Sequence, residues 1–208
     1  MVGGHVWSAA LYLSRFLFTN RALLDGKDVL ELGCGMALPS ILAAKFARKV
    51  VATDRTASCL RNVEENVMDF HPDLATKLST RVLDLGAPGH IPHQPCADVI
   101  LFSEVIYNVG VARALPPILQ VLLRRPHSVA YGIQPTTTRV GLDVFFEQLQ
   151  RTTIEWSEQP LGPELIDGTE NDVLQCKLYK FWARDVESEG ASDDGQLELD
   201  SEPLFANF

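Results

Sequence analysis

The stretch Asp28-Val29-Leu30-Glu31-Leu32-Gly33-Cys34-Gly35, with Val50-Val51-Ala52-Thr53-Asp54 behind it, constrains the fold more than any other part of the 208-residue chain. It reads as a buried strand, a glycine turn, a helix, and a second buried strand that ends on a carboxylate nineteen residues past the last glycine. Two short apolar strands joined by a helix are the repeating unit of a parallel sheet. Gly33 and Gly35 allow a sharp turn and let a ligand approach the main chain, and Asp54 at the strand tip can accept hydrogen bonds from both hydroxyls of a ribose. The pattern is half of a nucleoside site, and by itself it leaves the cofactor open.

The rest of the chain repeats the alternation. Strands are expected at 28–32, 49–53, 78–84, 97–103 and 128–133, and helices at 6–20, 38–47, 56–69 and 139–151. Runs at 154–158 and 173–182 have no helix between them and are expected to pair as an antiparallel hairpin. The fold class is therefore α/β, a Rossmann-like doubly wound seven-stranded sheet, mostly parallel with an antiparallel C-terminal hairpin. Residues 109–125 are periodic but contain Pro116-Pro117. Proline in a helix interior removes hydrogen bonds, so a helix is expected only from about Pro116, with 108–115 irregular.

Composition excludes several classes. The net charge is −9, but residues 185–208 hold eight carboxylates and no Lys or Arg, so the remaining 18 basic and 19 acidic side chains leave the body at −1. Neither sign favours a polyanion, and no direct nucleic-acid binding is expected. Residues 1–184 form the expected domain, and 185–208 an acidic tail expected to be disordered. That tail could also engage a basic partner. Cys34, Cys59, Cys96 and Cys176 form no Cys-x-x-Cys pair and have no histidine at ligand spacing, so no metal site is expected, and a reducing compartment is. No apolar run approaches the roughly 20 residues that cross a bilayer. The run from Val6 to Phe18 lacks a basic leader and is interrupted by Arg15, so it is expected to be an amphipathic helix rather than a signal peptide. His5, His71, His90, His93 and His127 stand beside no recognisable nucleophile and are expected at the surface or in loops.

The glycine motif also discriminates among cofactors. A dinucleotide site would carry a third small residue at position 38, where this chain has Leu38. Glu31 inside the strand suits instead a cofactor with an amino-acid end and no phosphate, such as S-adenosylmethionine, whose sulfonium and ammonium sit well near carboxylates. With Val6-Trp7-Ser8-Ala9-Ala10, Leu30-Glu31-Leu32-Gly33-Cys34-Gly35, Thr53-Asp54, Asn62-Val63-Glu64-Glu65-Asn66, Leu83-Asp84-Leu85 and Ser103-Glu104-Val105-Ile106-Tyr107, residues 5–183 resemble the class I, seven-strand S-adenosylmethionine-dependent methyltransferases. Within them the resemblance is to methyltransferase family 16, whose characterised members mostly methylate protein lysine, with relatives acting on histidine or arginine.

The resemblance implies a role for each matched position. Gly33 and Gly35 shape the cofactor loop, Glu31 faces the methionine end, Asp54 holds the ribose, and Asp84 approaches the adenine amino group. Leu85 flanks the ring where many relatives carry Trp, which removes a stacking surface. Trp7 packs against the cofactor from the first helix, and Ser103 joins the cofactor set at the end of the fourth strand. The residues after that strand face the transferred methyl, where protein-lysine members usually carry Asp-x-x-Tyr. Here the pattern is Glu104-x-x-Tyr107, so Glu104 and Tyr107 are the catalytic candidates, a carboxylate to hold an ammonium and an aromatic face for its head. The Asp/Asn-Pro-Pro-Tyr/Phe pattern of nucleobase amino-methyltransferases is missing.

The expectation is thus a protein N-methyltransferase that takes S-adenosylmethionine and a protein substrate, acts as a monomer in cytoplasm or nucleus, and binds no membrane. The alternatives are a small-molecule N-methyltransferase and a catalytically degenerate domain that binds partners, the latter suggested by the short segment before Trp7 and by Leu85.

Overall fold

The computed structural model describes residues 5–87, 97–137, 140–166 and 175–184. His90, His93, Cys96, the start of the expected run at 173–182, and the acidic tail at 185–208 lie outside them. The elements are α1 (Ser8–Thr19), β1 (Asp28–Leu32), α2 (Leu38–Ala44), β2 (Lys49–Asp54), α3 (Ala57–Phe70), β3 (Leu78–Val82), β4 (Val99–Ser103), α4 (Val109–Leu122), β5 (Val129–Pro135), α5 (Leu142–Leu149), β6 (Ile154–Pro160), α6 (Pro163–Ile166) and β7 (Cys176–Ala183).

One seven-stranded sheet carries the order β3-β2-β1-β4-β5-β7-β6. The first five strands pair in parallel, and β7 runs antiparallel between β5 and β6. Because strand side chains alternate between faces, successive residues feed two cores. Val29, Val50, Ala52, Val99 and Leu101 pack with Leu13 and Leu17 of α1, Ala43 of α2 and Val63 of α3. Leu30, Leu32, Val51, Ile100 and Phe102 pack with Leu115 and Ile118 of α4 and Phe145 of α5. Both sheet faces are covered, which explains why the parallel strands read as continuous apolar runs.

The expected hairpin forms, with Ile154 opposite Ala183 and Pro160 opposite Lys177. A difference from expectation is α4, which starts at Val109 and passes straight through Pro116 and Pro117. Asn108 caps it, its side chain accepting from Val111 N–H at 2.9 Å. Each interior proline costs roughly 3 kcal/mol. Against that, Val111, Leu115, Ile118, Leu119 and Leu122 are buried, each worth roughly 1.5–3 kcal/mol. Burial of one apolar face outweighs the two lost hydrogen bonds.

Candidate active site

The turn after β1 is built on left-handed backbone. Gly33 and Gly35 have φ of 67° and 52°, and Ala37, the residue before α2, has φ of 55°. A Cβ on Gly33 would lie 2.7 Å from Cγ1 of Val105, so this turn packs directly against the loop after β4. The turn is also tied to β2: Cys34 N–H donates to Thr53 O at 2.8 Å, and Gly35 N–H donates to Asp54 Oδ2 at 3.1 Å. Asp54 Oδ1 accepts from Thr56 N–H at 2.8 Å. Each oxygen of the carboxylate thus spends one acceptor position on the backbone and keeps another for a ligand hydroxyl.

A cavity of about 630 Å³ opens above this turn, bounded by the loops after β1, β2, β3 and β4 and by the start of α1. That is a small-molecule size. Trp7, Gly33, Gly35, Asp54, Asp84, Leu85, Ser103, Glu104 and Tyr107 all line it. Trp7 stands at the rim, 36% exposed, with His5 edge-on to its ring at 5.3 Å between centroids. Asp84 Oδ1 accepts from Gly86 N–H at 2.9 Å, and Leu83 and Leu85 give that wall an apolar surface.

Glu31 lies elsewhere than expected. It is fully buried and is not on the cavity wall; its Oε2 accepts from the N–H of Ser40 at 3.0 Å and from the Ser40 hydroxyl. Its Oε1 has no hydrogen-bond partner among the described residues. Burial, with Asp54 adding repulsion, pushes its carboxyl up to about 8 against the opposing bonds from Ser40. The strand pleat sends its side chain beneath α2, so Glu31 acts behind the turn. Cys34, by contrast, lines the cavity although it is buried, and burial, then Glu31 and Asp54, push its thiol up.

The loop after β4 faces Asp54 across the cavity. Glu104 takes left-handed backbone, φ 54°, in which a side chain is rarely held. It is 8% exposed, whereas Tyr107, three residues on, is 38% exposed at the mouth. Ser40 and Gln134 escaped the sequence reading, and Val105 entered it only as part of the motif after the fourth strand. Gln134 is fully buried and hydrogen-bonds both backbone groups of Ile106. A polar residue closing the apolar run of β5 is the one signal that marks it.

The residues present fit a nucleoside with a cationic amino-acid end. They offer a ribose-capable carboxylate, a turn where the main chain is open to approach, apolar leucines for a base, and a further carboxylate, Glu104, on the wall.

A profile described as lysine methyltransferase matches residues 1–152. Methyltransferase-like protein 22 of Mus musculus is 46% identical over 228 residues, covering 100% of this chain and 51% of that protein. A histone-arginine methyltransferase of Xenopus laevis is 34% identical over 115 residues, 51% of this chain and 45% of that protein. The chain spans about half the length of the curated relatives it matches. Among solved structures, the glycopeptide N-methyltransferase MtfA superposes with a TM-score of 0.64 at 13% identity, covering 84% of this chain and 90% of that one. A TehB-like methyltransferase from Corynebacterium glutamicum gives 0.62 at 14% identity, covering 83% and 88%. At these identities the structural likeness speaks for the fold.

Proposed function

Because the chain belongs to the lysine methyltransferase family, we propose that it uses S-adenosylmethionine to methylate a side-chain nitrogen of another protein, with lysine as the first candidate acceptor. The observation that carries this reading is the pairing of a recessed carboxylate, Glu104, with an aromatic ring, Tyr107, at the exposed mouth of the cavity that Asp54 also lines. A mouth rimmed by Trp7 and Tyr107 and open to solvent admits a side chain carried on a large partner.

S-adenosylmethionine supplies a methyl already activated by its sulfonium, so no covalent enzyme intermediate is required. Asp54 would hold the ribose hydroxyls, and Gly33 and Gly35 would leave the main chain of the turn open to the amino-acid end. Glu104 would draw in the acceptor ammonium by charge and, once that nitrogen has released a proton to solvent at the open mouth, accept a hydrogen bond from the neutral amine, while the Tyr107 ring would confine it for attack on the methyl. A lysine must first lose a proton, which costs roughly 4–5 kcal/mol at neutral pH from a reference pKa near 10.4. The site therefore works chiefly by alignment. Relatives named as histone-arginine methyltransferases make arginine the second acceptor to test.

We take residues 1–184 as the catalytic domain and 185–208 as an acidic extension that a basic substrate could meet. The test is incubation of the purified protein with methyl-labelled S-adenosylmethionine and a cell extract, followed by identification of labelled residues by mass spectrometry. Label on protein lysine is the expected result, and it should vanish in Glu104→Ala. Label confined to small molecules or nucleic acid overturns the reading.

A further inference from the structure

β4 ends at Ser103, yet Glu104 and Tyr107 lie beyond it. The loop that bears them must be held by something other than the strand ladder. Glu104 N–H still reaches Ile133 O on β5 at 2.9 Å, and Tyr107 N–H closes a tight turn onto Val105 O at 3.1 Å. Between them lies Ile106, whose side chain is buried. A buried peptide unit needs both an acceptor and a donor, and one side chain supplies the two. Gln134 Oε1 accepts from Ile106 N–H at 3.3 Å, and Gln134 Nε2 donates to Ile106 O at 3.0 Å.

The amide thus takes the place of a missing strand residue. Gln134 is 0% exposed and does not line the cavity, so it meets neither donor nor acceptor substrate. Asparagine has the same groups on a stem one carbon shorter, glutamate lacks the donor when ionised, and methionine keeps the length without either group. The side chain and its backbone partner form a two-point bracket that fixes both position and rotation of the segment between Glu104 and Tyr107.

We propose that Gln134 is the positioning residue of the acceptor half of the site, holding Glu104 and Tyr107 in register with the methyl donor through the peptide groups of Ile106. The inference rests on the methyltransferase reading above. The two halves of the cavity touch where Val105 packs against Gly33, yet each is fixed by its own bonds: those between Asp54 and the backbone of Gly35 and Thr56 on the donor side, and those reaching from β5 on the acceptor side.

The test uses Gln134→Met and Gln134→Glu in the full chain. S-adenosylmethionine affinity, measured by calorimetry, should stay within about twofold of the parent in both. Initial rates of label transfer into extract protein should fall tenfold to a hundredfold in Gln134→Met, the loss expected for a misplacement of about 1 Å. Gln134→Glu gives a signature that a purely packing role lacks. A protonated carboxyl offers one O–H donor and one acceptor, as the amide does, so its rate relative to the parent should recover as pH is lowered and fall as pH is raised.

Amide exchange of Ile106 should quicken at least tenfold in Gln134→Met while the donor still binds. Parent-like rates in Gln134→Met, a pH-independent rate ratio for Gln134→Glu, or donor affinity that falls in step with rate would each overturn the proposal. If the parent itself labels no protein, the acceptor reading fails first. The bracket is then judged by exchange alone, with unchanged Ile106 protection as the result against it.

Discussion

At the scale of single residues, Glu31 shows how far a motif can be read before geometry is needed. Its place in the strand and the glycines after it were legible because a buried strand ending in a sharp turn leaves a local pattern. The direction of its carboxylate was not, because its partner is Ser40, nine residues on and across a turn, and no sequence spacing marks that contact. The consequence is a testable pH effect. The folded pKa of about 8 lies above the ordinary 4.5, so between these values the native state holds a proton that the unfolded chain has released. Glu31 therefore favours folding most below about pH 4.5, and that contribution drains away as pH rises to about 8, with a slope of up to roughly 1.4 kcal/mol per pH unit. Urea unfolding of the parent and Glu31→Gln at pH 5.5, 7 and 8.5 should show the parent losing stability relative to the variant as pH rises; parallel curves would refute it. Gly33→Ala should fail for a separate reason. Its φ of 67° and the 2.7 Å approach to Val105 force a shift of one loop or the other, costing about 1–3 kcal/mol. Donor affinity should drop with it, which calorimetry checks.

At the scale of elements, the parallel strands were readable to within two residues because each is a short apolar run with both faces covered. The α4 helix was not. Its prolines argue against a helix locally, and the burial that overrides them is a tertiary fact, visible only once Leu115 and Ile118 are seen to pack beneath β1 and β4. The capping asparagine was the available clue. Asn108→Ala should therefore cost about 1 kcal/mol, whereas a helix beginning at Pro116 would be indifferent to it; denaturant midpoints at constant slope decide between them. Strand packing offers a sharper case in Gly132. A Cβ there would lie 2.2 Å from the Phe102 ring, which itself packs at a tilt against Phe181 with 5.7 Å between centroids. Relief requires moving an aromatic side chain inside a filled core. Gly132→Ala should then destabilise by about 1–3 kcal/mol, read by the same unfolding measurement, with donor binding retained in the folded fraction.

At the scale of the whole molecule, the order β3-β2-β1-β4-β5 explains why the cavity lies where it does. The chain leaves β1 toward one edge and leaves β4 toward the other, so their loops diverge and open a crevice at the carboxyl ends of the strands. Among the described residues, those lining that crevice fall between His5 and Val111, and Gln134 behind it still falls within the residues 1–152 that carry the family match. The β6–β7 pair completes the sheet but adds no wall. Ligand binding should accordingly stabilise the whole fold from one end of the sheet, because a ligand that contacts four loops binds the native state and not the unfolded chain. At a donor concentration of one hundred times Kd the gain is roughly 2.7 kcal/mol, and for a domain of this size each kcal/mol raises Tm by roughly 2–4 °C. Thermal unfolding with saturating S-adenosylmethionine should therefore shift upward by roughly 5–10 °C. Asp54→Ala removes the ribose acceptor and the bonds to Gly35 and Thr56 together, so its own shift should shrink to less than about 2 °C. A full shift in that variant would mean that the donor binds without Asp54 and that the carboxylate at the tip of β2 serves the turn alone.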